Sequence, residues 1–213
     1  MSSNAPTALP RLVLGSSSPY RRELLARLGQ PFETRSPDVD ETAQAGESPR
    51  ALACRLAQRK ARAVADTFRD DVIVIGSDQV ADLGGRALGK PGHHAAAVEQ
   101  LRALSGQRAL FHTAICVMRP ATDQVRHAVS TVSVHFRVLS DQVIESYLER
   151  EQPYDCAGSA KCEGLGIVLL DRIESDDPTS LVGLPLIATS RLLRELGWDP
   201  LNTQPSHEGA RHG

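Results

Sequence analysis

The 213-residue chain has no apolar run approaching the length of a bilayer span. Its opening Met1-Ser-Ser-Asn-Ala-Pro-Thr has neither the basic nor the apolar region of a secretion signal, so a cytoplasmic protein is expected. Its four cysteines, Cys54, Cys116, Cys156 and Cys162, lack the paired short spacings of a zinc site or redox dithiol, and they read as small buried hydrophobes. A dominant charge sign is missing too: 24 Lys and Arg stand against 26 Asp and Glu, for a formal net charge of -2. That excludes a general nucleic-acid surface, so any anion site must be local. There is no repeat, no low-complexity segment, no Walker A pattern with its lysine and no Gly-x-Ser-x-Gly elbow. The seven histidines offer no catalytic arrangement, and the adjacent His93 and His94 would diverge on a helix and face solvent.

What is present is an ordinary core-forming composition, 41% hydrophobic and 23% charged. Residues 1–10 and 202–213 are polar and aperiodic and are expected to be flexible tails, leaving 11–201 as one α/β domain. Leu12–Leu14 reads as a buried strand. Ser18 and Pro19 then open a helix closed by Gly29. A second helix is expected from Ser48-Pro49 to about Phe68, with Leu52, Leu56, Val64 and Phe68 on one face. Val72–Ile75 follows as a short strand, Gly84-Gly85 as a hairpin turn, and His93–Leu104 as a helix. Leu110–Met118 and the alternating Val132, Val134, Phe136 and Val138 read as strands, Ser140 as the cap of a helix through Leu148, Gly166–Leu170 as a strand and Leu184–Leu196 as a helix. Alternating elements with antiparallel pairs among them predict an α/β fold with a mixed sheet flanked by helices.

Several residues invite chemistry. In Leu12-Val-Leu-Gly-Ser-Ser-Ser-Pro-Tyr-Arg-Arg22 a strand feeds a helix through Ser16, Ser17 and Ser18, and Arg21 and Arg22 follow. Free N–H groups, hydroxyls and guanidiniums there suit phosphate oxygens, although a well-capped helix with solvent-facing arginines fits as well. Counting by four from Leu52 puts Lys60 on the apolar stripe, where its amine must reach an anion or snorkel to water. Lys90 is a second cation. Asp78, in Ile75-Gly-Ser-Asp-Gln79, is expected just past the end of a buried strand, where α/β sheets place ligands. Asp38, Asp40 and Glu41 form an acidic group that also reads as a solvated turn. Together these are the parts for holding a polyphosphate and activating water with a divalent cation.

Seven motifs in order, Ser16-Ser-Ser-Pro-Tyr-Arg-Arg22, Asp38-Val-Asp-Glu41, Arg59-Lys60-Ala61, Ile75-Gly-Ser-Asp-Gln79, Gly89-Lys-Pro91, Cys156-Ala-Gly-Ser159 with Glu163-Gly-Leu-Gly166, and Val182-Gly-Leu-Pro-Leu186, resemble the Maf family of nucleoside triphosphate pyrophosphatases. The resemblance implies two lobes around a deep cleft, as in inosine triphosphatase-like folds, a cytoplasmic location, a divalent cation such as Mg²⁺ or Mn²⁺, and a homodimer. It implies cleavage of a nucleoside triphosphate to monophosphate and pyrophosphate, clearing noncanonical nucleotides. Ser16, Ser18, Arg21, Lys60 and Lys90 would grip the phosphates, Glu41 and Asp78 would hold metal, and Asp78 would accept the proton from water. Tyr20, Gln79 and Glu163 stand at the specificity positions and resemble the branch acting on 7-methyl-GTP, with tyrosine where that branch is expected to carry tryptophan. An aromatic face and a carboxylate suit the cationic methylated ring. Alternatives are thymidine, uridine or modified pyrimidine triphosphates as substrates, or a non-catalytic nucleotide-binding regulator of septum formation.

Overall fold

Leu12, Val13 and Leu14 are almost wholly buried and form the middle of strand β1 (Arg11–Gly15) in a computed structural model that describes residues 9–202. Apart from Leu9, Pro10 and Asn202, the expected tails lie outside the described residues. β1 pairs in parallel with β2 (Glu33–Arg35) and with β3 (Val72–Leu83). Strands of that kind are covered on both faces, which is why Leu12–Leu14 and Val72–Ile75 are continuous apolar runs. β3 continues antiparallel to β4 (Arg86–Leu88) and to β5 (Arg108–Arg119). β5 pairs with β6 (Gln124–Phe136), and β6 with the edge strand β7 (Leu170–Glu174). The sheet is therefore mixed, in the order β2-β1-β3-β5-β6-β7, with β4 beside β3.

Among the described residues, five α-helices cover it. α1 (Pro19–Ala26) and α5 (Leu186–Glu195) pack Leu24, Leu25, Leu192 and Leu193 against Leu14, Ile73, Ile75 and Ile115. α2 (Pro49–Ala65) lies with Val13, Val74, Ala114 and Cys116. In the other lobe, α3 (His94–Leu104) and α4 (Asp141–Glu151) bury Leu101, Leu104, Ile144 and Leu148 with Phe111, Val132, Val134 and Leu169. The long strands β3, β5 and β6 run through both lobes.

Four expectations are corrected. β3 does not stop at Ile75 but runs twelve residues to Leu83, because β5, on its other edge, pairs with it from Val74 to Asp82, well past the last β1 pair. Asp78 therefore lies inside β3, beyond the last β1 pair Gly15–Gly76, and the vacated edge is β1's. Residues 165–169 form a 3-10 turn and not a strand, since Gly164 and Gly166 both donate to the Lys161 carbonyl and wind the chain tightly. α2 ends at Ala65, three residues before Phe68, whose ring lies under the guanidiniums of Arg11 and Arg35 at 5.7 and 5.4 Å. Val138 falls outside β6 and is 79% exposed.

Candidate active site

The site begins where β1 lets the chain go. Ser18 caps α1, accepting from the Arg21 backbone N–H at 3.4 Å, and Pro19 fills the first turn. The Ser16 hydroxyl accepts from Ser18 N–H at 3.1 Å and from Arg21 Nη1 at 3.4 Å. Arg21 Nε donates to the Gly183 carbonyl at 2.8 Å, which points the guanidinium inward, while Arg22 is exposed and stays outside. Desolvation lowers the Arg21 pKa, but a guanidinium remains charged at any working pH.

Across β1 and β3, two glycines make room for α2. A Cβ on Gly76 would stand 2.3 Å from the Ala57 carbonyl, and one on its cross-strand neighbour Gly15 would be 3.3 Å from the Lys60 carbonyl. This close approach brings the buried Lys60 onto β3, where its Nζ lies 2.6 Å from Asp78 Oδ1 and 2.6 Å from Glu41 Oε1. The lysine on the apolar stripe thus reaches anions and does not snorkel. Burial raises the Asp78 pKa above the ordinary carboxylate value, against the pull of Lys60 and Arg21. At Glu41 burial also pushes upward, but the Lys60 hydrogen bond and the charges of Lys60, Lys90 and Arg21 together win, and its pKa falls.

Glu41 reaches Lys60 because its loop is strapped to α2. Arg55 donates to both oxygens of Glu47 at 2.7 Å and to the Thr42 carbonyl at 3.0 Å, and Arg59 donates to the Asp40 carbonyl at 3.2 Å. The Asp40 carboxylate caps Thr42 N–H at 2.9 Å, and Asp38 does not line the cleft. Of the three acids only Glu41 enters the cleft.

A second neighbourhood gathers around Tyr20. Its ring is half-buried, and burial with the nearby Cys156 and Asp155 raises its pKa, so it is a neutral phenol. Gln79 Nε2 donates to Thr113 Oγ1 at 2.9 Å and to the carbonyls of Ser180 and Leu181 at 3.0 Å. Two backbone carbonyls settle which end of this amide is nitrogen, and Oε1 is left with no partner among the described residues. Glu163 is exposed and forms no ion pair among the described residues: Lys161 is held by Glu151 at 2.9 Å and Arg172 by Glu174 at 2.8 Å.

One cleft of about 320 Å³ joins the two neighbourhoods. Ser16, Ser18, Tyr20, Arg21, Glu41, Lys60, Gln79, Lys90 and Glu163 all line it, and Asp78 sits beneath Lys60. Sequence reasoning singled out Val182-Gly-Leu-Pro-Leu186 but gave no role to its Gly183 carbonyl, which also accepts from Ser77 Oγ at 3.1 Å, and it missed the buried Asp177 that caps Thr179 and Ile187 and so fixes that turn. It also missed Asp155, and it placed Cys156 in a motif without assigning it to the lining. Cys116 is buried as expected, but Cys54, Cys156 and Cys162 are only half-buried. Burial still pushes the thiols of Cys116, Cys156 and Cys162 up to about 12, which keeps them protonated. His93 caps α3, and His94 lies between Glu145 and Tyr154 at 2.7 and 3.1 Å, away from the cleft.

No group of three or more His, Cys, Asp or Glu is arranged to hold a metal ion among the described residues. Two carboxylates do meet on one positive charge, the Lys60 ammonium. With phosphate oxygens as further ligands, that pair fits a hard divalent cation, which takes one or two carboxylates plus substrate oxygens. No described helix is long and apolar enough to cross a membrane.

A family model described as Maf-like protein matches residues 11–196. The chain is 59% identical over 187 residues to the 7-methyl-GTP pyrophosphatase of Albidiferax ferrireducens, covering 88% of this chain and 94% of that one. It is 59% identical over 192 residues to the protein of that name from Polaromonas sp., covering 90% and 87%. A third, from Cupriavidus pinatubonensis, is 56% identical over 192 residues, covering 90% and 96%.

Proposed function

The chain belongs to the Maf-like protein family, and on that footing we propose that it hydrolyses 7-methyl-GTP to 7-methyl-GMP and pyrophosphate. The observation that carries the reading is the joining of two chemically different neighbourhoods in one cleft. Hydroxyls and cations at Ser16, Ser18, Arg21, Lys60 and Lys90 suit a triphosphate. The Tyr20 face and the carboxylate of Glu163, which accepts from the Cys162 thiol but has no ion pair among the described residues, suit a ring made cationic by N7-methylation, and Gln79 Oε1 offers an acceptor to a base edge carrying N–H donors. The names of close relatives support the same substrate.

In this reading Asp78 accepts the proton of the attacking water. Its raised pKa makes it a stronger base than a solvated aspartate, and Lys60 holds the carboxylate in place. Arg21 and Lys90 offset charge on the phosphates as water's oxygen bonds to phosphorus, the bridging P–O bond between the α- and β-phosphates breaks and pyrophosphate departs. Glu41 and Asp78 would hold a divalent cation, Mg²⁺ or Mn²⁺; when bound it supplies charge neutralisation and polarises the phosphate oxygens. The chemistry suits a cytoplasmic enzyme that clears noncanonical nucleotides. A homodimer would cover the exposed Ile167, Val168 and Ile173 beside the edge strand β7, and a monomer in sedimentation velocity would refute that part.

The test is a panel of 7-methyl-GTP, GTP, UTP and dTTP, assayed for pyrophosphate with magnesium and with chelator. The expected result is magnesium-dependent release, highest with the methylated nucleotide. No pyrophosphate from any member would refute the enzyme, and a pyrimidine optimum would refute the base preference.

A further inference from the structure

Behind Tyr20 and Glu163 lies a pair of charges to which the reaction itself assigns no task. Lys161 Nζ stands 5.6 Å from the centroid of the Tyr20 ring and 2.9 Å from Glu151 Oε1. The other oxygen of Glu151 accepts from the Leu165 backbone N–H at 2.7 Å. The turn carrying Glu163 is wrapped around this carboxylate: a Cβ on Gly164 would lie 2.8 Å from both of its oxygens. The same turn closes through Gly164 and Gly166, which donate to the Lys161 carbonyl at 3.1 and 3.0 Å, and Lys161 N–H donates to Tyr147 Oη at 3.1 Å. One carboxylate at the end of α4 thus holds both the ammonium over the aromatic ring and the backbone behind Glu163.

The two side chains are only 27% and 13% exposed, so their fields are less screened than those of a surface pair. The Lys161 hydrogen bond lowers the Glu151 pKa, and the same contact raises that of Lys161 to about 12, so both are charged at neutral pH. An ammonium on the Tyr20 ring draws on the π-density that would attract a cationic base, and it repels such a base directly. It leaves a neutral guanine far less affected.

We propose that the Glu151–Lys161 pair sets how strongly the cleft prefers a cationic base: Lys161 opposes the charged ring, and Glu151 offsets Lys161. This inference rests on the base preference proposed above. Neither residue lines the cleft: Lys161 acts by its charge on the base and on the Tyr20 ring, Glu151 acts through Lys161, and both are positioning residues, so turnover alone is not their signature.

The experiment measures kcat/KM for 7-methyl-GTP and for GTP, and takes their ratio, in the wild type and four variants of the full chain. Lys161→Met should raise the ratio about three- to tenfold, and Glu151→Gln, which keeps an acceptor for Leu165 N–H, should lower it by a similar factor. The double variant should return to within about twofold of the wild type, because the two charges act on each other. Lys161→Arg keeps the charge and should keep the ratio. A merely loosened turn would move both single variants in the same direction, and that result overturns the proposal, as does a ratio unmoved in both. If Lys161→Met does not fold, Lys161→Gln carries the same expectation. A wild-type ratio near one would overturn the base preference itself and this inference with it, and the wild-type measurement alone tells the two failures apart.

Discussion

Lys60 shows how much one side chain can reveal. A lysine four residues along from Leu56 on an apolar stripe had to find an anion or reach water, and it finds two, Asp78 and Glu41, at 2.6 Å each. Lys60→Met keeps the stem and removes only the ammonium, leaving the buried Asp78 uncompensated. We expect a loss of about 3 kcal/mol in denaturant unfolding, with loss of turnover; an unchanged midpoint would mean that the ion pair adds nothing. Legibility at this scale followed chemistry. Asp78 stood out because it follows a buried strand's apolar run, Arg21 because it follows three hydroxyls at a helix start, and Lys60 because a charge in an apolar pattern has a cost that demands a reason. Asp155 did not, since an exposed aspartate in a polar loop has none, and only the fold brings it to the cleft. Cys156 was misread because burial of a cysteine is an average tendency, and here one wall of the cleft is its neighbourhood.

Among the elements, the contact of α2 with β3 decides the site. Gly76 has no room for a Cβ against Ala57 and Ala61, so Gly76→Ala must push α2 away from the strand and carry Lys60 from Asp78. The expected cost is about 1–3 kcal/mol in thermal or denaturant unfolding, with turnover falling more than stability explains. Wild-type melting and turnover together would contradict the close approach. The helices were legible because Ser18, Ser48 and Ser140 cap them and their apolar spacing is regular. β3 was cut short because Gly76-Ser77-Asp78-Gln79 looks like a loop. Its extended backbone comes from pairing with β5, a partner more than thirty residues away that local pattern cannot supply. The apolar Gly166–Leu170 run failed the other way: strand-like composition was overridden by hydrogen bonds back to Lys161.

For the molecule as a whole, a near-neutral chain gathers Arg21, Lys60 and Lys90 beside Glu41, Asp155 and Glu163 in one cleft, with three long strands shared between two lobes. The mixed α/β class was readable from alternating elements, whereas the end of β1 at Gly15 while β3 runs on beside β5, which opens the edge beside Asp78, was not. In the proposed reaction Asp78 takes the proton from water attacking a triphosphate held by the surrounding cations. Replacing Asp78 by Asn keeps the shape and an acceptor for Lys60 but removes the base. The decisive measurement is single-turnover pyrophosphate release from 7-methyl-GTP by this variant, alongside its affinity for a non-hydrolysable α,β-methylene analogue. We predict a fall in rate of about 10²- to 10⁴-fold with affinity held within about tenfold; a rate equal to that of the wild type would contradict the account.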